Sequence, residues 1–313
     1  MKALLGTVGL ASLFFILRDY GFAKLLQDIS LTGWWVFPLL FSFVPVLLLY
    51  SLAWHLVTPE KPWRAFPHLF RLMIISIAWN NLSPFIKVFG EPIKITALTP
   101  NLGRRTAIKS ILLYNLVHIY GTVLAFVLGA ILLLWCYHVP SAYKIGFVSL
   151  IGVFLVALAA IYFLPKAKKR KRSRRKNGLV RKVNLWLHWS LSKIRVFNKN
   201  HPGRLLLAVF LETLARFVEG VTFFFAFYSL KHPISLSASA LLDVGRALLD
   251  NLFFFIPYQV GSREAGLIFL TERVMNLQDC PQVSAAILYR LVEVIWILIG
   301  YLLWMNSAKS RKS

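Results

Sequence analysis

Acidic residues are scarce in this chain. Twelve Asp and Glu stand against 36 Lys and Arg, and charged residues of both signs make up 15% of its 313 residues. So little charge excludes an intrinsically disordered protein. There are two cysteines, Cys136 and Cys280, which excludes a disulfide scaffold and leaves no cysteine-based zinc pattern. The sequence has no Gly-rich P-loop for nucleotide phosphates and no Gly-x-Ser-x-Gly elbow, so neither ATP hydrolysis nor elbow-type acyl transfer is expected. No His, Cys, Asp or Glu grouping has metal-ligand spacing, and no metal or cofactor is expected. What is plentiful is apolar surface: 58% hydrophobic and 15% aromatic residues, with a mean hydropathy of +0.65. A soluble globular domain does not have that balance. The formal charge of +24 first suggests nucleic acid. Long apolar runs surround the basic residues, however, so no nucleic-acid partner is expected. A membrane protein with a basic cytoplasmic face fits better.

A bilayer span needs about 20 mostly apolar residues. Residues 34–57, 108–135 and 146–164 meet that requirement, and 205–229 and 283–305 meet it with internal charge. The short run 3–17 is read as a retained sixth helix, because Arg18-Asp19-Tyr20 follows it in place of a small-residue cleavage site. Between Lys166 and Arg204 lie 15 Lys and Arg and no acid, which makes that loop cytoplasmic. Six spans then put both termini on the cytoplasmic side of a cell (inner or plasma) membrane. Two further apolar stretches, 69–99 and 237–275, are broken by Pro, Gly and Asn. The spans around 69–99 end and start inside, whereas those around 237–275 end and start outside. Both stretches therefore read as re-entrant hairpins approaching from opposite faces, since irregular backbone at membrane depth needs protein or water beside it. The expected architecture is an all-α polytopic membrane protein of about six spans plus two opposed hairpins. It divides into an N-terminal half 1–165, a basic loop 166–204 and a C-terminal half 205–313. Within the loop, residues 179–196 place Val183, Trp186, Leu187, Leu191 and Ile194 on one side, an interfacial helix suited to an anionic lipid surface.

The two breaks resemble each other. One reads Asn80-Asn81-Leu82-Ser83-Pro84, then Gly90-Glu91. The other reads Asp250-Asn251-Leu252, Pro257, then Gly261-Ser262-Arg263-Glu264. Interrupted apolar segments in corresponding halves point to an inverted repeat with a midplane substrate site. On Asn81, Leu82, Pro84, Gly90 and Glu91, and on Pro257, Gly261 and Glu264, the chain resembles the membrane domain of lysylphosphatidylglycerol synthase/flippase proteins over most of its length. The second turn is poorer in Gly than is usual there. Eight residues follow Met305, with no soluble synthase domain, so the resemblance implies lipid translocation rather than synthesis.

Ionisable residues at bilayer depth are costly and persist where they pair or line a polar path. Eight of the 12 acids lie between residues 205 and 305, interleaved with Arg. Glu212, Arg216 and Glu219 share one helix face, as do Arg290 and Glu293, and Asp243, Arg246 and Asp250. Arg263 and Glu264 begin a half-helix whose N-terminus favours an anion, and Lys87 and Glu91 form the matching corner of the first hairpin. The candidate substrate-binding residues are Asn81, Lys87, Glu91, Glu212, Arg216, Glu219, Asp250, Asn251, Arg263, Glu264, Arg290 and Glu293. Arg263 and Lys87 are expected to hold phosphate, and Glu91 and Glu264 to orient the site, bind a cationic headgroup, or cap their helices. The function expected is movement of an anionic or zwitterionic lipid, phospholipid or polyprenyl phosphate, between leaflets. A membrane-embedded transferase acting on a lipid-linked substrate, and a scaffold for a lipid-modifying partner, are the alternatives.

Overall fold

Leu, Ile, Val and Phe fill long runs that Gly, Pro and Asn punctuate, and the backbone follows that punctuation. The structure is a computed structural model that describes residues 22–58, 65–81, 90–163, 200–253, 261–277 and 280–309, together with Arg18, Phe255, Ile256 and Gln259. Among these residues there are helices and turns and no strand. In chain order the helices are α1 (Phe22–Leu31), α2 (Val36–Phe41), α3 (Phe43–Val57), α4 (Phe66–Asn81), α5 (Gly90–Leu102), α6 (Arg104–Cys136) and α7 (Ser141–Phe163). They continue with α8 (Pro202–Val218), α9 (Val221–Ser229), α10 (Leu236–Leu252), α11 (Ser262–Ile268) and α12 (Gln282–Lys309). A π-helical turn, Phe269–Val274, extends α11.

Three segments are long and apolar enough to cross a bilayer: Gly33–Val57, Arg104–Cys136 and Gln282–Ser307. The shortest has 25 residues, or about 37 Å of helix against about 30 Å of hydrocarbon. Their neighbours turn apolar side chains outward. Ile145 and Val156 on α7, Leu206 on α8 and Leu302 on α12 are all more than half exposed, as a lipid-facing surface requires.

Local chemistry explains where the helices stop. Thr58 precedes Pro59, and a residue before proline is driven out of the helical region. Thr58 is accordingly extended, and its hydroxyl closes the end of α3 by donating to the Trp54 carbonyl at 2.8 Å. Gly103 takes a φ of +73° between α5 and α6, a turn that glycine makes at little cost. The run 205–229 reads as one span, but the structure divides it at Glu219-Gly220 into α8 and α9. A Cβ on Gly220 would lie 2.6 Å from the Ser239 carbonyl and against the Ala240 backbone. The bend is therefore tied to the close approach of α10.

Both broken stretches are helix–break–helix units. The first is α4 and α5, the second α10 and α11 with its π turn. The long helix that follows each unit packs on the first limb of the other one: α12 on α4, and α6 on α10. This reciprocal packing relates the two halves of the chain. Polar contacts across helices add to it, among them Trp54 donating to the Ser110 hydroxyl at 3.1 Å and Arg71 donating to the Leu303 carbonyl at 2.9 Å. Such bonds contribute modestly in an apolar medium, on the order of 1 kcal/mol each. The run 3–17, Pro84, Lys87, Pro257 and the amphipathic stretch 179–196 lie outside the described residues.

Candidate functional site

Helices α3, α4, α5, α6, α8, α9 and α12 line a partly open cavity of about 340 Å³. That volume suits a headgroup-sized guest. Helices α4 and α5 form one wall with Ser76, Asn80, Asn81, Glu91 and Lys94. Asn115 and His118 of α6 form a second, Arg216 and Glu219 a third, and Tyr289 and Glu293 of α12 a fourth.

The hairpin corner is built by side chain and backbone together. Asn80 Oδ1 accepts the Gly90 N–H at 2.7 Å, so Asn80, not Glu91, satisfies the start of α5. Glu91 is left to turn sideways. Its carboxylate accepts from Asn115 Nδ2 at 3.1 Å and meets Lys94 Nζ at 3.4 Å. Lys94 is 3% exposed. Its ammonium sits 5.1 Å from the Trp54 ring and 5.0 Å from the Tyr114 ring, a cation–π cage.

Across the cavity runs a relay. Arg216 Nη2 lies 3.0 Å from His118 Nε2, and His118 Nδ1 lies 2.8 Å from Glu212 Oε2. A guanidinium can only donate, so Nε2 accepts and Nδ1–H donates to Glu212. Arg216 also donates to Thr122 Oγ1 at 3.2 Å and to Glu219 Oε2 at 3.2 Å. Glu212 is fully buried behind His118, and Gly121 of α6 presses against its Cβ.

The remaining charges form a second cluster behind Tyr289. The Tyr289 hydroxyl donates to Glu219 Oε1 at 3.2 Å and accepts from Arg246 Nη2 at 3.1 Å. Its ring stacks on Phe223 at 4.9 Å, with the Arg246 guanidinium 4.5 Å away. Arg246 pairs with Asp243 at 2.6 Å and with Asp250 at 2.5 Å. Arg263 reaches Asp250 at 3.0 Å, Glu293 at 2.5 Å and Gln259 Oε1 at 2.9 Å. Arg290 holds Glu264 at 2.5 Å, and the other Glu264 oxygen accepts the Gly261 N–H at 2.9 Å. Gly261 has a φ of +79°, a conformation that glycine adopts readily.

The candidate residues thus fall into two groups. Asn81, Glu91, Arg216, Glu219 and Glu293 line the cavity. Glu212, one layer back, reaches it through His118. Asp250, Arg263, Glu264 and Arg290 make the cluster behind it, joined to the cavity by Tyr289 and Glu293. Three donor directions of Arg263 are occupied within the protein, and Glu264 is both helix cap and ion-pair partner. Asn251 is exposed at the end of α10, where its amide donates to the Ala247 carbonyl at 2.7 Å. Lys87 lies outside the described residues. Sequence reasoning left His118 and Lys94, one turn beyond the Lys87–Glu91 corner, outside the candidate set and did not reach Tyr289. The one available signal for His118 was its place with Tyr114 and Asn115 on one face of a span, a pattern that core residues share. Among the described residues no group of three His, Cys, Asp or Glu is placed to hold a metal ion.

The family described as the lysylphosphatidylglycerol synthase TM region matches residues 3–300 of the chain. No curated protein and no solved structure matches it.

Proposed function

The chain belongs to the lysylphosphatidylglycerol synthase transmembrane family, and from that premise we propose that it moves a phospholipid-type lipid between leaflets through the charged cavity. The observation that carries this reading is a partly open cavity of about 340 Å³, lined by Lys94, Arg216, Glu91, Glu219 and Glu293 among apolar helices. Charged side chains kept at bilayer depth mark a polar path when they face a cavity. In this reading α4–α5 and α10–α11 are the two re-entrant hairpins of an inverted repeat, set among six spans with both termini cytoplasmic. Support comes from the reciprocal packing of α12 on α4 and α6 on α10. The cavity group handles the headgroup. The ion-pair cluster of Arg246, Arg263 and Arg290 holds the second hairpin in register, and the Tyr289 hydroxyl couples the two. Residues 166–204 carry anionic lipid on the cytoplasmic surface. The acyl chains stay against the exposed apolar faces of the outer helices.

The test is reconstitution into liposomes with a fluorescent phospholipid and quenching of the outer leaflet. Protein-containing vesicles are expected to exchange the label faster than protein-free vesicles. Arg216→Gln is expected to slow that exchange about tenfold, the effect of losing about 1.4 kcal/mol of charge-assisted hydrogen bonding. Exchange no faster than in protein-free vesicles overturns the reading.

A further inference from the structure

Three polar groups that line the cavity, one each on α3, α4 and α5, are buried and poorly satisfied. Tyr50 is 5% exposed, and its hydroxyl has no hydrogen-bond partner among the described residues. Ser76 is fully buried, and its hydroxyl likewise has none among them. Lys94 brings three N–H donors and meets a single carboxylate oxygen, at 3.4 Å. All three side chains line the same cavity.

Their positions along α3, α4 and α5 set them around one cavity, the Tyr50 ring itself lying 5.7 Å from the His118 ring and 5.7 Å from the Arg216 guanidinium. Lys94 sits against Trp54, one helical turn along α3 from Tyr50. Ser76 lies against Gly90, whose added Cβ would strike the Ser76 hydroxyl. Gly90 is one turn before Lys94 on α5, on the same face. Buried polar groups are nearly always satisfied, and an exception calls for an explanation. Here the unused capacity consists of an ammonium and two hydroxyls around a headgroup-sized void, a donor set that suits an oxyanion.

Resting on the lipid-transport reading above, we propose that Lys94, Tyr50 and Ser76 form a phosphate subsite for a phosphodiester headgroup. Charge selects the diester over the monoester. Apart from His118, the ionisable lining carries two cations, Lys94 and Arg216, against three carboxylates, Glu91, Glu219 and Glu293. A lining with that many carboxylates accepts a singly charged phosphodiester more readily than a doubly charged monoester. Each carboxylate has a partner inside the protein: Asn115 for Glu91, Tyr289 for Glu219 and Arg263 for Glu293. Lys94 meets one carboxylate oxygen at 3.4 Å and keeps two of its three N–H donors for a ligand.

The test uses the full chain in maltoside micelles, which bring no phosphate. Binding of dihexanoyl phosphatidylglycerol is measured beside dihexanoylglycerol, dihexanoyl phosphatidic acid and inorganic phosphate. The phosphatidylglycerol is expected to bind most tightly and the dihexanoylglycerol at least about tenfold more weakly. Lys94→Met and Tyr50→Phe are each expected to weaken phosphatidylglycerol about tenfold, and Ser76→Ala by less. Tyr50→Phe and Ser76→Ala remove hydroxyls that the empty protein leaves unpartnered, so their thermal midpoints are expected to equal or exceed that of wild type. That combination, weaker binding without lost stability, separates a ligand site from a packing role. Wild-type affinity in both hydroxyl variants overturns the proposal. Equal binding of dihexanoylglycerol, or tighter binding of phosphatidic acid, overturns it as well. Inorganic phosphate competing as strongly as the lipid assigns the corner to the free ion and overturns the headgroup assignment. Transport in liposomes with unchanged binding in the variants removes the subsite alone, whereas phosphate-dependent binding without transport removes the transport reading alone.

Discussion

An Arg246→Met chain is expected to lose about 3–5 kcal/mol of unfolding free energy, the usual cost of stranding a buried charge. Arg246 is 4% exposed and its two partners, Asp243 and Asp250, are 1% and 6% exposed. Asp250 keeps Arg263 as a second partner. Asp243 does not have that recourse: the hydrogen bonds to its carboxylate come from Arg246, and its Oδ2 is unsatisfied among the described residues. Methionine keeps an unbranched apolar stem and removes the guanidinium that lies over the Phe223 and Tyr289 rings. The double variant Arg246→Met/Asp243→Leu removes both charges and is expected to recover most of the loss, because replacing a buried pair by apolar residues is often neutral. SDS or heat unfolding in maltoside micelles, followed by tryptophan fluorescence, gives both values. A single variant within about 1 kcal/mol of wild type, the range of an exposed pair, contradicts a structural ion-pair core.

Gly90→Ala is expected to have the second largest effect, about 1–3 kcal/mol of lost stability together with slower lipid exchange. Its Cβ would lie 2.5 Å from the Ser76 carbonyl and 3.0 Å from Asn80 Oδ1. The carbonyl belongs to helical backbone and cannot swing aside. Asn80 Oδ1 is the acceptor that satisfies the Gly90 N–H, so relieving the clash also lengthens the bond that starts α5. Everything that α5 carries into the cavity, Glu91 and Lys94 included, moves with it. Unfolding of the purified variant and its exchange rate in liposomes check the two parts separately. Unchanged values in both contradict the close α4–α5 approach.

The breaks were legible because their causes are local. Asn80-Asn81 before Gly90 and the turn at Gly261 interrupt apolar runs with residues that cap helices or adopt positive φ. The reciprocal acid–base spacing on α8 and α10 was legible for the same reason, and on α10 the spacing named the partners: Arg246 takes Asp243 at i−3 and Asp250 at i+4. On α8 it did not. Glu212 and Arg216 have i,i+4 spacing, yet Glu212 turns to His118 and Arg216 to His118, Thr122 and Glu219. The partner comes from α6, some 90 positions earlier in the chain, and such a contact leaves no local trace.

The second hairpin failed to read through for a related reason. A Gly turn followed by Arg263 and Glu264 has the composition of an anion site. The same residues serve equally as a cap and an ion-pair hub, and Arg290, Glu293 and Asp250 from other helices decide for the latter in this conformation. Lys94 went unread as a site residue because an aromatic cage is assembled from α3 and α6, far from it in sequence. The bend at Gly220 was hidden by the unbroken hydropathy of 205–229. Glycine is tolerated within a helix, and only the backbone of α10 arriving on its open side makes it necessary.

The most direct measurement is an experimental density map of the protein in nanodiscs made from its native lipid extract. The account predicts a lipid headgroup inside the cavity between Lys94 and Arg216, with its tails leaving toward the bilayer. Headgroups ordered only along the outer apolar faces, with the cavity holding water alone, would contradict it.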